Sequence, residues 1–250
     1  MSEEEKKVDS TAEEENSAAE DAAAEAKTKK ENRVEILVAV FLGITALLTA
    51  WASWISSLHG GNQATNYTKS NNLASEGNSE YNSGLQTYLS DVLAWNTLTE
   101  YSFEKDIAEA NGQKEAAKLI DEKIDNYLQQ NGSDILIEAY GKMTDDMASP
   151  FEVEGMTDKY YEKANELLAE SQELLEQGKK DNANGDSYNL ASVIYSVVLF
   201  MLGIVGIFKR LPNRAVVLGI AVAVLILATV YMLTIPMPTG FSFGNFFGGA

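Results

Sequence analysis

The stretch ILVAVFLGITALLTAWASWISSL, Ile36–Leu58, decides the fold class. It contains no Asp, Glu, Lys or Arg. A helix needs about 20 apolar residues to cross about 30 Å of hydrocarbon. Two more stretches meet the same requirement, Leu190–Phe208 and Ala215–Ile235. Inside a bilayer the backbone must satisfy its own hydrogen bonds, so each stretch has to be helical. The sequence therefore predicts an all-α integral membrane protein with three transmembrane helices. Between the first and second spans it predicts an antiparallel helical extracytoplasmic domain, built from extensions of those spans.

Basic residues orient the chain. Lys27, Lys29, Lys30 and Arg33 precede the first span, and Lys209, Arg210 and Arg214 fill the loop between the second and third. Positive loops stay cytoplasmic, and both clusters give the same topology: N-terminus in the cytoplasm, C-terminus outside. The expected organisation is a disordered acidic head (1–33), first span (34–58), extracytoplasmic domain (59–189), second span (190–208), basic loop (209–214), third span (215–235) and a Phe/Gly-rich tail (236–250). The first apolar run is too long, and starts too late, for a cleaved signal peptide. It reads as an uncleaved signal anchor in a bacterial plasma membrane.

The formal net charge of −18 is unevenly placed. The head carries 11 acids and 6 bases, and residues 59–188 carry 25 acids and 10 bases. Nucleic acid calls for a basic stripe, so it is not an expected partner. Such acidity serves solubility and repels other anions. The head has almost no large apolar residue to offset chain entropy, hence its expected disorder.

The chain has no cysteine and a single histidine, His59. Disulfides, thiolate catalysis and cysteine-ligated metals are excluded. One imidazole cannot build a multi-histidine metal site, and His59, where the first span meets water, reads as an interfacial polar residue. No Walker loop, zinc-protease helix or nucleophile elbow is present. Asp181-Asn-Ala-Asn-Gly-Asp186 has the look of a calcium loop, but Ala183 and Gly185 occupy ligand positions and no Glu closes it. No catalytic, cofactor or metal residue is assigned, and no cofactor is expected.

Other residues carry structural expectations. Trp51, Trp54, Tyr195 and Tyr231 read as interface anchors at headgroup level. Thr45, Thr49 and Ser53, with Ser56, form a small hydroxyl face on the first span, and Gly203 and Gly206 mark the second span. Small faces let helices approach closely; a polar pathway is the sharper alternative, but no ionisable group lies inside any span. In the domain between the spans, Tyr81, Leu85, Tyr88, Leu89, Val92, Trp95, Leu98, Phe103 and Ile107 recur at helical spacing. A long helix is predicted to about Glu109, with a break at Gly60–Gly61. A second helix covers 114–128. A third, capped by Ser133, covers DILIEAYGKMTDDM. A final helix opens at Thr157 and runs toward the second span, with a break at Gly178 or Gly185. The tail is expected to be flexible or to rest at the outer interface through Phe241, Phe243, Phe246 and Phe247.

The order of several segments resembles a family of uncharacterised bacterial three-span membrane proteins, a domain of unknown function. They are Ala50-Trp51-Ala52, Gln63-Ala64 with Tyr67, Ser149-Pro150-Phe151, Ala183-Asn184, Gly185-Asp186, Tyr188, Leu190-Ala191, Phe200 and Gly203-Ile204, followed by the basic hinge. The resemblance covers about Arg33–Pro238. It implies the same three-span helical fold and brings no activity and no catalytic residues. The leading functional expectation is a non-enzymatic interaction or scaffolding module. It sits in the lipid bilayer and engages a protein partner through the outer helical domain. The alternatives are a homo-oligomeric channel or transporter subunit and an envelope sensor of cations or stress.

Overall fold

The structure, a computed structural model, describes residues 3–208 and 213–242. It is all-helical, with helices α1 (Glu3–Ala110), α2 (Lys114–Asn131), α3 (Asp134–Tyr140), α4 (Met156–Lys159), α5 (Glu162–Ile207) and α6 (Arg214–Thr234), and a 3-10 turn at Pro150–Glu152. Three of these helices are long and apolar enough to cross a membrane: α1, α5 and α6. The chain divides into a unit formed by Met1–Gln63 with Lys179–Ala250 and a second unit formed by Ala64–Gly178.

In the first unit the three apolar segments pack on one another through a narrow seam. Buried positions on α5 are Tyr188, Ala191, Tyr195, Val198, Leu202 and Val205, alternating steps of three and four. On α6 they are Ala221, Leu225, Ala228 and Met232, and on α1 Val38, Thr45, Ala52 and His59 recur every seven residues. A repeat near 3.5 residues keeps one stripe facing its neighbours, as in left-handed helix packing. The remaining large apolar side chains point outward, among them Leu47, Val193, Phe200, Leu227 and Leu233. An apolar exterior around a buried seam is what a helix bundle needs when its solvent is hydrocarbon.

The second unit packs α1 and α5 antiparallel through very small residues. Ser70 and Ser171 each donate a hydroxyl hydrogen bond to the other's carbonyl, at 2.8 and 2.9 Å. One heptad on, a side chain at Gly77 would come within 2.9 Å of Leu168 Cγ. A further heptad on, a Cβ at Gly84 would lie 2.0 Å from the Tyr160 carbonyl oxygen, so only glycine fits. Beyond it lies a core of Ala94, Leu98, Ile124, Leu128, Leu136, Ala139, Met156 and Tyr160, drawn also from α2 and α3.

Several expectations change. Neither Gly60–Gly61 nor Gly178 nor Gly185 breaks a helix; α1 and α5 run through them. Gly178 lies under the Tyr67 ring, where a Cβ would be 2.4 Å from Cε1, so it serves close approach rather than a turn. The third helix stops at Tyr140 instead of reaching Met147; past the Gly141 cap the bonds tighten, with Lys142 and Met143 donating to the carbonyls of Ala139 and Tyr140, three residues back. The final helix does not open at Thr157. Gly155 takes a left-handed φ of 74°, α4 makes one turn, and α5 starts at Glu162. The backbone of the head is helical from Glu3, where disordered chain is expected. Ala, Glu and Lys are strong helix formers, so local propensity favours helix there; Glu25, Thr28, Lys29 and Glu31 are exposed.

Candidate functional site

The first unit contains a buried polar cluster at the end of the apolar run of α1. His59 is 1% exposed and Asp181 is 1% exposed. His59 Nδ1 lies 3.0 Å from Asp181 Oδ1 on α5. His59 Nε2 lies 3.1 Å from the carbonyl oxygen of Pro236, just after α6. One imidazole therefore ties together α1, α5 and the segment leaving α6.

The surroundings make this contact close. Ser56, one turn before His59, donates to the Gly185 carbonyl at 2.9 Å. A Cβ at Gly185 would lie 3.4 Å from His59 Cβ, at the edge of ordinary van der Waals contact. Tyr188 stacks on the imidazole at 5.8 Å between centroids, and its hydroxyl donates to the Ile235 carbonyl at 3.3 Å. Asn62 donates to the Thr239 carbonyl at 3.1 Å. Phe241 packs its ring edge-on against Trp51 and Trp54, with centroids 6.1 and 5.8 Å away. Trp54, Leu58, Asn62 and the segment Pro238–Ser242 line a cavity of about 310 Å³.

The hydroxyl face of the first span is used for packing. Thr45 is fully buried and donates to the Phe41 carbonyl at 2.7 Å, and Thr49 donates to the Thr45 carbonyl at 2.7 Å. Ser53 and Ser192 share a hydroxyl hydrogen bond of 2.9 Å between α1 and α5. Trp51 and Trp54 are half-buried and meet edge-on at 5.4 Å. Tyr195 is fully buried in the three-helix seam, with its hydroxyl 3.2 Å from Thr229 Oγ1. Tyr231 is 36% exposed on α6. A Cβ at Gly206 would meet Val38 Cγ1 at 3.4 Å, whereas one at Gly203 would meet nothing within 4 Å. Arg214 Nε donates to the Val205 carbonyl at 2.8 Å, and Lys29 pairs with Glu25 at 3.7 Å. Arg33 is exposed at the start of the apolar run. The side chains of Lys27, Lys30, Lys209 and Arg210, and the whole of Phe243, Phe246 and Phe247, lie outside the described residues.

His59, read from the sequence as an interfacial polar residue, is buried. It closes the column Val38, Thr45, Ala52, His59 on α1. Asp181 heads the column Asp181, Tyr188, Tyr195, Leu202 on α5. The seven-residue repeat was the available signal, because a polar residue continuing a buried column is itself buried.

The second unit holds a different buried acid. Asp91 on α1 accepts hydrogen bonds from the Ser133 N–H at 2.9 Å, from the Ser133 hydroxyl and from the Tyr160 hydroxyl at 2.6 Å. Ser133 in turn caps α3 by accepting from the Leu136 N–H at 3.2 Å. Burial beside the Asp91 carboxylate pushes the Tyr160 phenol well above its ordinary range, so it stays a donor. Among the described residues no group of three or more His, Cys, Asp or Glu is placed to hold a metal.

No protein-family model matches the chain, and no curated protein or solved structure matches it.

Proposed function

We propose that this chain is a non-enzymatic interaction module held in a bacterial plasma membrane by three spans. The basic residues at 27–33 and 209–214 support a cytoplasmic N-terminus and an extracytoplasmic C-terminus. In that orientation the unit Ala64–Gly178 is extracytoplasmic and the first span is a signal anchor.

The supporting observation is an apolar stripe on α1. Leu85, Leu89, Leu93, Phe103 and Ile107 are 37–68% exposed. At 100° per residue they share the side of α1 turned away from Ser70, Gly77, Gly84, Asp91 and Leu98. Large apolar side chains gathered on one helix face in a water-facing unit mark a binding surface. Glu100, exposed, lies on this stripe, and Glu104, beside it, pairs with Lys123 of α2 at 3.5 Å. The partner it fits is an amphipathic helix with an apolar stripe and basic flanks, the helix-on-helix mode of recognition.

The test is photocrosslinking from position 89 or 93 in native membranes. A discrete adduct with another protein, lost in Leu89→Asp and Leu93→Asp, supports the reading. Absence of any protein adduct removes it. An adduct at twice the chain's own mass would favour the homo-oligomeric alternative instead. The hydroxyls of Thr45, Thr49 and Ser53 bond to their own helix or to α5, which supports packing rather than a conduit.

A further inference from the structure

We infer that His59 and Asp181 form a proton-binding site, and that the bound proton latches the segment after α6 onto α1. This goes beyond the interaction reading and does not depend on it.

Four atoms set the number of hydrogens in the cluster. Pro236 contributes a carbonyl oxygen, which can only accept, so His59 Nε2 must carry a hydrogen to bond across 3.1 Å. Between His59 Nδ1 and Asp181 Oδ1, 3.0 Å apart, there must be a second hydrogen, on one atom or the other. The cluster therefore holds either an imidazolium facing a carboxylate or a neutral imidazole facing a carboxylic acid. The two differ only in where one proton sits, and both keep the pair neutral overall. That suits a site with both side chains nearly inaccessible, 1% and 2% exposed.

Removing one proton leaves a neutral ring, with a single N–H, beside a carboxylate. If that hydrogen stays on Nδ1, it makes a charge-assisted bond to Asp181. Nε2 then turns a lone pair toward the Pro236 oxygen, and the contact becomes repulsive. If the hydrogen moves to Nε2, the Nδ1 lone pair faces a buried carboxylate instead, which is worse. Deprotonation thus breaks the bond to Pro236 and keeps the bond to Asp181. Adding a second proton leaves both ring hydrogens in place, so the latch persists at low pH and opens as pH rises.

Apart from His59, α1 carries no acidic or basic residue between Ile36 and Gln63, and α6 carries only Arg214, at its opposite end. On α5, Tyr188 stacks on the ring as a phenol donating to Ile235, while Lys179, Lys180 and Asp186 are exposed. What the latch holds is defined: Pro236 leads into Thr239, bonded to Asn62, and Phe241, seated on Trp51 and Trp54. Opening it loosens one wall of the cavity beside Trp54.

The experiment uses the full chain in lipid nanodiscs. His59 is the only histidine, so ¹⁵N-histidine labelling gives one pair of ring resonances. They are followed from about pH 5 to about pH 9, the range in which imidazole charge changes are read. Hydrogen exchange of the peptide covering Met237–Ser242, corrected for intrinsic rates, is measured in parallel. We expect one ring nitrogen to lose its hydrogen as pH rises. The segment should then exchange about tenfold faster at the same midpoint, the scale of one charge-assisted hydrogen bond. In Asp181→Asn the amide donates to Nδ1 at every pH, so the segment should stay protected throughout. In His59→Phe it should be unprotected throughout, with the melting of the Ala64–Gly178 unit unchanged as the folding control. A ring that does not titrate in this range, a titration with unchanged segment exchange, or pH dependence surviving in Asp181→Asn would each overturn the inference.

Discussion

Asp181 and Asp91 are both buried carboxylates on long helices, one in each unit, and they are satisfied in opposite ways. Asp91 receives a backbone N–H and two hydroxyls. Three neutral donors stabilise a carboxylate outright, and no proton need move. Asp181 faces an imidazole whose other nitrogen is bonded to a carbonyl. There the hydrogen bonds close only if the pair keeps one exchangeable proton. Burial alone does not make an acid functional; the chemistry of its partners decides. Surrounded by fixed donors, a buried acid is a structural joint, and facing a titratable donor it is a switch.

The packing around the two acids differs as well, and this yields the largest expected effect. Near Asp91, Gly84 lies against the Tyr160 carbonyl with no room for a Cβ. Gly84→Leu should destabilise the Ala64–Gly178 unit by about 3 kcal/mol, read by urea unfolding followed through Trp95. By contrast, a Cβ at Gly60, one residue after His59, would meet nothing within 4 Å. Gly60→Ala should therefore be neutral or stabilising by up to about 1 kcal/mol through helix propensity. Equal losses at the two glycines would erase the contrast.

Next in size, Asp91→Ala strands the Ser133 N–H and the Tyr160 hydroxyl and should cost about 3 kcal/mol in the same unfolding measurement. Asp91→Asn should cost less, because its amide oxygen still accepts. Should Asp91→Ala prove harmless, Asp91 is not the joint described. Smaller again, Ser53→Ala removes a single hydroxyl bond between α1 and α5. A loss of about 0.6 kcal/mol is the scale for such bonds within a membrane, measured by steric trapping in bicelles.

The smallest effect concerns Glu138, which accepts from Lys142 at 2.5 Å and Lys159 at 2.6 Å. These two ammonium groups hold its carboxyl down at about 2, against an ordinary 4.5. A depressed carboxyl stabilises the fold above its ordinary value, and that stabilisation is lost as pH falls from about 4.5 toward about 2. The pair is exposed and screened by solvent, so only a shallow acid-side slope is expected. Glu138→Gln should remove that slope, while Asp181→Asn should leave it untouched.

Much of the fold is legible in the amino-acid order. The three spans follow from apolar length, and the antiparallel pairing of α1 with α5 follows from opposite span directions. Ser133 as the cap of α3 follows from its place after Asn131–Gly132. The glycines mislead, because glycine weakens an isolated helix. In a packed pair the same residue permits contact, and Gly84 and Gly178 lie where a side chain would collide with Tyr160 or Tyr67. Tyr195 misleads for a related reason. An aromatic with a hydroxyl suits a headgroup, but a buried one needs only a partner, here Thr229.

Residue order alone dictates how many apolar helices there are and where their apolar runs begin and end, because hydrocarbon thickness and backbone hydrogen bonding leave no other solution. It also places the buried columns, since the seven-residue repeat is written in residue type. Which polar residues meet is settled by packing between helices. His59 is 122 residues from Asp181 and 177 from Pro236 along the chain. Their contact depends on the relative register of α1, α5 and the end of α6, and a shift of one helical turn would leave each hydrogen-bonding group without its partner. Register arises from side chains interlocking across helices, which no single segment encodes.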